Sequence, residues 1–232
     1  MERRQQGKTR NRKYWRRMEF YLGTWNVLSL YRAGAFRLLR DQIDKYKTGI
    51  IAIKEIRWIG QGTLEKKYQT IFYSCDRKQH MLGVGFVVKK NLKRMVMDFE
   101  AISTRIRALT IKGKFFNYTI INVHAPTEEK EEIYRPTIGS HSLHEKANDN
   151  GYRLIQFATL NNMVISSTMF QQRNIHKPTW TAPDRSFEIK IDHMVIDARH
   201  MSDLLVVRSY RGGNVDSDHY LVIARMRARI SK

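Results

Sequence analysis

Several apolar, strand-like segments of this sequence end in polar or charged residues that a buried strand does not need. These residues are Asn26, Lys54 with Glu55, Asn122 with His124, Asp192 with His193, and Asp218 with His219. In layered α/β folds, strand ends converge on one edge of a sheet, and binding and catalytic sites form there. We therefore expect these side chains to meet in one site.

The residue types in this set suit metal binding and proton transfer. Carboxylate oxygens are ligands that Mg²⁺ prefers, and Glu55 and Asp218 would supply them beside the phosphate oxygens of a substrate. A carboxylate next to a histidine can hold the imidazole in one tautomer, so that the ring takes a proton from water near neutral pH. The alternative for any single Asp-His dipeptide is an ordinary surface turn. Only the recurrence of polar strand ends argues against that alternative.

The elements that must position these residues are short strands and two helices. Strand composition covers 20–27, 49–55, 68–75, 83–88, 101–112, 115–123, 163–166, 189–196, 204–208 and 220–226, with a hairpin at 112–114. Helical spacing covers 35–46, and a second helix follows a cap at Asn148 or Asp149 and runs to Asn161. Phe20, Phe86 and Phe116 are predicted core residues. The pattern indicates a β-rich mixed α/β (α+β) domain.

The composition limits the function classes. The 232 residues carry a net charge of +20, which attracts polyanions, and nucleic acid is the obvious one. A solvated basic surface with no specific ligand is the alternative. One cysteine excludes an internal disulfide and cysteine-rich zinc sites, and it fits a reducing compartment. No apolar run approaches membrane-spanning length, and no apolar segment follows the basic N-terminus, so we expect neither a membrane partner nor a secretory signal.

Residues 1–18 form a separate basic segment. They contain eight Lys or Arg residues and one acidic residue, and they show no apolar periodicity. We predict a disordered arm that contacts phosphates or acts as a nuclear address, so that the protein is intracellular and nuclear. A basic tail without a role is the alternative. The remaining residues, 19–232, are predicted to form one domain that is itself basic.

The order of the motifs along the chain resembles the endonuclease/exonuclease/phosphatase superfamily. The motifs are TWNV at 24–27, EIRW at 55–58, GVGF at 83–86, NVHAP at 122–126, TW at 179–180, IDH at 191–193 and SDH at 217–219. The segments LYRAG at 30–34, KFFN at 114–117 and RSYRG at 208–212 resemble the endonuclease of non-LTR retrotransposons, including the group of copies called craniofacial development protein 2-like. The resemblance spans roughly residues 20–226.

This resemblance implies a four-layer α/β/β/α sandwich of two mixed sheets and Mg²⁺-dependent (or Mn²⁺-dependent) cleavage of phosphodiesters, with DNA as the partner and no protein partner inferable. Carried over by position, it implies the following roles: His124, Asp192, Asp218 and His219 are catalytic, Asn26, Asn122 and Trp180 bind phosphate or nucleic acid, and Glu55 and Asp218 bind the metal. Thr179 would support Asp192.

Two departures from the family pattern affect the expected activity. Lys54 stands where a Gln usually precedes the Glu, and its charge predicts weak metal affinity. The Gly-Asp-x-Asn motif, whose Asp positions the attacking water, is missing, which predicts that one central strand is lost and that the domain is interrupted near 127–135. Because losing one preorganised polar group costs about 10²- to 10³-fold in rate, we expect impaired catalysis.

Three functions therefore remain open from the sequence. The first is an impaired Mg²⁺-dependent DNA endonuclease of retrotransposon origin. The second is a basic module that binds nucleic acid without cutting it, and the third is an inert transposon-derived fragment.

Overall fold

The largest sheet positions the polar strand ends that the sequence singled out. The computed structural model describes residues 18–102, 105–124, 137–143, 148–213 and 215–228. Seven strands form this sheet in the order β13-β14-β1-β2-β5-β4-β3. Their bounds are β1 Met18–Asn26, β2 Ile50–Lys54, β3 Gln61–Glu65, β4 Gln69–Ser74, β5 Val84–Lys89, β13 Leu204–Tyr210 and β14 Leu221–Ala228.

The directions of the central strands bring several polar ends to one edge. β1 and β2 are parallel, with Asn26 opposite Lys54, so both strands end at the same edge. β14 runs antiparallel to β1, with Val222 opposite Thr24. The residues that precede β14 therefore lie beside the residues that end β1. This geometry follows from strand pairing alone, because paired strands keep a spacing of about 4.8 Å.

A second group of strands packs on one face of the large sheet. β6 Val96–Ala101, β7 Ile106–Ile111 and β8 Tyr118–Val123 form a three-stranded antiparallel sheet. β9 Met163–Ile165 pairs with β12 Val195–Asp197, and β10 Trp180–Thr181 pairs with β11 Glu188–Ile189. Apolar side chains of both layers, including Phe86 and Leu109, form a buried core between them.

The helices cover other surfaces. α1 Ala35–Lys45 packs Leu39 and Ile43 against the opposite face of the large sheet, and α3 Asp149–Leu160 packs Ile155 and Ala158 on β9. A short helix, α2 Lys90–Lys93, follows β5. In the part of the chain that the structure describes, none of the helices has the length and apolarity needed to cross a membrane.

The close approach of β4 to β5 explains why the GVGF segment needs a glycine at position 85. A Cβ atom at this position would lie 2.3 Å from the carbonyl oxygen of Phe72 and 3.0 Å from the Cα atom of Tyr73. Any side chain would push β4 away from β5. Gly85 therefore permits the close approach of strands that support the site edge.

The mixed α/β fold class predicted from the sequence is confirmed. Both helices and the hairpin between β7 and β8 form as expected. The layer count and the missing central strand stay predictions. The interruption near 127–135 lies outside the described residues, as does the predicted arm at 1–18, except for Met18, which begins β1.

Three predictions about elements and core are corrected, and two strands were not predicted. β3 and β6 were not expected: β3 is a polar edge strand, and both strands present mostly exposed side chains without an apolar run. The strand predicted at 101–112 is divided, since β6 ends at Ala101 and β7 begins at Ile106. The strand predicted at 189–196 forms only at its two ends. Phe116 is 43% exposed and stacks on His200 and Tyr118 instead of joining the core.

Candidate active site

Asn26 is the centre of a hydrogen-bond network at the strand-end edge. It ends β1 and is buried, and its Oδ1 accepts a hydrogen bond from the backbone N–H of Leu28 (3.1 Å). Its Nδ2 therefore faces the other way, donating to Glu55 Oε1 (2.9 Å) and lying 3.2 Å from His219 Nε2. Asn26 thus joins the acidic end of β2 to the histidine that precedes β14.

These contacts also assign the tautomer of His219. Because the Asn26 amide nitrogen can only donate, His219 Nε2 accepts and its Nδ1 carries the proton. Nδ1 lies 2.8 Å from Asp192 Oδ2 and donates to it. The backbone N–H of His219 donates to Ser217 Oγ, and Ser217 Oγ donates to the carbonyl oxygen of Asn26 (2.6 Å). His219 is therefore held with Nδ1 toward Asp192 and Nε2 toward Asn26 and the site.

Asp192 holds the His219 ring in position. It is buried, and its other carboxylate oxygen forms an ion pair with Lys54 Nζ, whose side chain is also buried. Burial alone would raise the pKa of Asp192, but the charge of Lys54 and the hydrogen bond with His219 outweigh it and hold the pKa well below its usual range. Thr179 Oγ1 accepts the backbone N–H groups of Ile191 and Asp192 (2.9 Å each). These bonds replace strand pairing, which explains why the strand predicted at 189–196 is broken here.

A second cation, Arg57, pairs with Glu55, and the sequence did not predict this contact. Arg57 Nη2 donates to Glu55 Oε2 at 2.6 Å. Both residues have left-handed backbone conformations, with φ of 55° and 57°. Burial alone would raise the pKa of Glu55, but the hydrogen bonds from Asn26 and Arg57 lower it. Glu55 is thus a carboxylate whose two oxygens both accept N–H donors.

His124 lies on the opposite wall, directly after β8. Its Nε2 is 3.7 Å from Glu55 Oε1, and its Nδ1 is buried without a hydrogen-bond partner among the residues that the structure describes. Burial lowers the pKa of His124, the charge of Glu55 raises it, and the nearby cations Lys54 and Arg105 lower it further, with a net lowering. His124 is therefore a neutral ring at pH 7 with one nitrogen that has no partner.

Asp218 and Trp180 close the site beside His219. Trp180 Nε1 donates to Asp218 Oδ2 (2.7 Å), and Trp180 forms a β-bridge with His219. Asp218 Oδ1 is buried, has no hydrogen-bond partner in the described part of the chain and lies 3.9 Å from His219 Nε2. Trp180 forms a wall of the site through this contact.

Asn122 differs from the other residues singled out in the sequence. Its amide nitrogen donates to the carbonyl oxygens of Ile53 (2.9 Å) and Gly85 (3.0 Å), and the side chain is buried. Both amide hydrogens are therefore used to tie β8 to β2 and β5, and none is left to donate to a phosphate. We assign Asn122 to holding the two sheets together, in place of the phosphate binding that the sequence suggested.

The residues around Glu55 fit a divalent cation poorly in this arrangement. Mg²⁺ requires a near-octahedral set of oxygen ligands. Both oxygens of Glu55 already accept N–H donors, and Asp218 Oδ1 is the site carboxylate oxygen that is buried without a partner. Among the described residues, no group of three or more His, Cys, Asp and Glu side chains is arranged to hold a metal ion.

Sequence reasoning missed two contributors, Arg57 and Ser217. Both lie inside motifs that were recognised, EIRW and SDH, but their role depends on contacts across strands. The positive φ of Glu55 sets where the Glu55 and Arg57 side chains meet, and the residue type does not predict this backbone conformation. Seven of the predicted site residues lie at one edge, and each contacts another member of this set. They are Asn26, Glu55, His124, Trp180, Asp192, Asp218 and His219.

Comparisons with known proteins agree with this architecture. No family model matches the chain. It is 29% identical over 247 residues to craniofacial development protein 2 of Tragulus javanicus, in an alignment that covers 91% of this chain and 43% of the relative. The chain thus spans less than half the length of the curated relatives it matches.

Solved structures show the same fold at low sequence identity. The endonuclease domain of TRAS1, a telomere-specific non-LTR retrotransposon, superposes with a TM-score of 0.61 at 13% identity, covering 91% of this chain and 100% of that one. The AP endonuclease LMAP from Leishmania major superposes with a TM-score of 0.64 at 11% identity, covering 90% and 88%. The resemblance predicted from the sequence is thereby confirmed: this chain shares the fold of these two endonuclease structures and is similar in sequence to craniofacial development protein 2.

Proposed function

We propose that this domain is a DNA-binding, nuclease-like domain of retrotransposon origin that holds a phosphodiester at the strand-end site and hydrolyses it at a strongly reduced rate. The observation that carries the proposal is the continuous network from Glu55 through Asn26 and His219 to Asp192. The net positive charge of the chain attracts the polyanion, and the preorganised polar groups of the site bind its phosphodiester.

The roles of the side chains follow from their contacts. His219 presents a neutral Nε2 that can take a proton from water, and Asp192 orients the ring and stabilises the imidazolium that would form. Asn26 holds His219 and Glu55 in register. His124 Nε2 lies 3.7 Å from Glu55 Oε1, and from there it can contact a phosphate oxygen or act as an acid once protonated.

The reduced rate has two causes. The chain between His124 and Thr179 contains no Gly-Asp-x-Asn motif, so the groups that would position the attacking water are missing. Lys54 and Arg57 also pair with two of the three site carboxylates, which weakens affinity for Mg²⁺ or Mn²⁺. The second cause favours the alternative function, a module that binds DNA without cutting it. Either function would place the protein in the nucleus.

A nicking and binding assay with supercoiled plasmid tests the proposal. We expect salt-dependent retention of plasmid by the full chain, together with nicking in Mg²⁺ that is at least about 10²-fold slower than that of an intact AP endonuclease. His219→Ala should abolish the residual nicking and leave retention intact, whereas Tyr68→Ala, an exposed change distant from the site in the chain, should leave both unchanged.

Each other outcome has a defined meaning. Nicking at the rate of an intact enzyme, abolished by His219→Ala, would show that the missing motif is dispensable and would contradict the impairment. Retention without any nicking would favour the non-catalytic module. Failure to retain plasmid at low salt would overturn the proposal in favour of an inert fragment.

A further inference from the structure

The site contains an unusual balance of charged side chains. Three carboxylates, Glu55, Asp192 and Asp218, are connected through Asn26 and His219, and two of them are paired with cations of the same chain. Lys54 pairs with Asp192 in a buried contact, and Arg57 pairs with Glu55 at the open side. The site therefore already holds two permanent positive charges where a divalent cation would otherwise supply them.

Arg57 pairs with Glu55, the carboxylate that a metal ion would need. Its Nη2 lies 2.6 Å from Glu55 Oε2, while Asn26 donates to Oε1. A dication at Glu55 would have to share its oxygens with the guanidinium and the Asn26 amide, and it would be repelled by Arg57 and by the neighbouring Lys54. Metal binding at Glu55 is thus a competition between two cations for the same oxygens.

Arg57 is also suited to receive a phosphodiester. Its side chain is 42% exposed, in contrast to the buried Lys54, and a guanidinium has five N–H donors, most of which remain after the contact with Glu55. Guanidinium groups bind phosphate oxygens in a bidentate manner, with hydrogen bonds strengthened by charge. The carbonyl oxygen of Arg57 lies 2.9 Å from His80 Nδ1, which anchors its backbone in the left-handed conformation.

We propose that the site holds its phosphodiester with Arg57 as the cation and does not require a divalent metal ion for binding. The inference rests on the proposed function, because it assumes that the ligand of this site is a phosphodiester. It differs from the expectation that came with the family resemblance, in which a metal ion bound to Glu55 neutralises the phosphate.

Two titrations with the full chain test the inference. The first follows binding of a thymidine dinucleotide, which contains a single phosphodiester, by NMR in EDTA and then in Mg²⁺. The second follows binding of Mn²⁺ alone by electron paramagnetic resonance. We expect the wild type to bind the dinucleotide equally well in EDTA and in Mg²⁺, and to bind Mn²⁺ weakly.

Variants at Arg57 give the decisive comparison. Arg57→Gln should lower dinucleotide affinity in EDTA by about 10-fold or more, because a charge-assisted contact is lost, and raise Mn²⁺ affinity by a similar factor. Arg57→Lys should retain part of the dinucleotide affinity. Arg32→Gln is the matched control: Arg32 is exposed and donates to the carbonyl oxygen of Asp216 instead of a site carboxylate, so neither affinity should change.

The inference is overturned if the wild type binds the dinucleotide only in Mg²⁺, or if Arg57→Gln changes neither affinity. If no dinucleotide binds under any condition while plasmid is still retained, the inference also fails, and DNA binding then belongs to another surface. If plasmid is not retained either, the proposed function fails with it.

Discussion

Asp192 is the residue on which the geometry of the site depends, because each of its oxygens holds a different functional side chain. One oxygen pairs with Lys54 and the other accepts from His219 Nδ1. Such a buried pair contributes little net stability when it is complete, but removing one partner leaves the other as an uncompensated buried charge. The pair therefore serves mainly to fix the position of His219.

Asp192→Asn tests this view. The substitution should lower the free energy of unfolding by about 3–5 kcal/mol, because Lys54 would remain buried without a carboxylate. Urea denaturation followed by circular dichroism measures the change. Asp41→Asn, at an exposed residue paired with Arg40 at 2.8 Å, is the control and should have little effect. Equal losses in the two variants would show that the buried pair has no special role.

Lys190 predicts a stability that depends on pH. Burial, together with the nearby charge of Lys177, lowers the pKa of Lys190 from 10.5 to about 8. Between these values the unfolded chain binds more protons than the folded one, so the contribution of this residue to the free energy of unfolding rises as pH increases. A shift of this size corresponds to about 3 kcal/mol.

Lys190→Met isolates this contribution. Relative to the wild type, the variant should be most stable below pH 8, and its advantage should shrink as the pH rises toward 10.5, since the folded lysine is then neutral and the unfolded lysine is losing its proton. Urea denaturation at pH 7 and at pH 10 measures the difference. Exposed Lys66→Met should show no such change with pH. A constant difference for Lys190→Met across this range would mean that the residue stays charged when folded.

At the scale of elements, the positions of helices followed from local signals and the irregular segments did not. Asn148 was one of two predicted caps for the second helix, and its Oδ1 accepts the backbone N–H of Gly151 at 2.8 Å. Capping is a contact within four residues, so the sequence contains the information. The break between β11 and β12 depends on Thr179: the family resemblance implied that Thr179 supports Asp192, but not that its hydroxyl takes the place of strand pairing there.

The cap of α3 yields a prediction about this element. Asn148→Ala should lower the free energy of unfolding by about 1 kcal/mol, because one of the first N–H groups of the helix loses its acceptor. Asn148→Asp, which keeps an acceptor in the same place, should lose little of this stability. Thermal and urea denaturation of the two variants measure the effect. An alanine variant as stable as the wild type would show that α3 is held by packing on β9 alone.

At the scale of the whole molecule, the net charge of +20 attracts polyanions, and it would govern binding to DNA, the ligand of the proposed function. Eight of the basic residues lie within residues 1–18, and the domain that follows is itself basic. Each phosphate neutralised by the protein releases counterions, so the number of contacts can be read from the dependence of affinity on salt. The domain and the arm are therefore expected to contribute separately to this dependence.

Removal of residues 1–17 tests the contribution of the predicted arm. The truncated protein should bind plasmid with a shallower dependence of log affinity on log salt, by about 0.9 for each phosphate that the arm contacts. Its thermal unfolding should match that of the full chain, since β1 begins at Met18. Fluorescence anisotropy with a DNA duplex over a series of salt concentrations gives both slopes. Identical slopes would mean that residues 1–17 do not contact DNA.

The amino-acid sequence by itself determined which strands end in chemistry-bearing residues, where the two longer helices begin, and which superfamily the fold resembles. These properties depend on local composition, on periodicity and on the order of short motifs. It also indicated Lys54 as an extra charge near Glu55.

Only the tertiary structure decided which of those residues share contacts. It showed that Asn122 ties the two sheets together, that Lys54 pairs with Asp192, and that Arg57 occupies Glu55. The physical reason is that hydrogen bonds and ion pairs form between side chains brought together by strand pairing and backbone conformation. Neither the register of distant strands nor the left-handed turn at Glu55 can be predicted from any single segment of the chain.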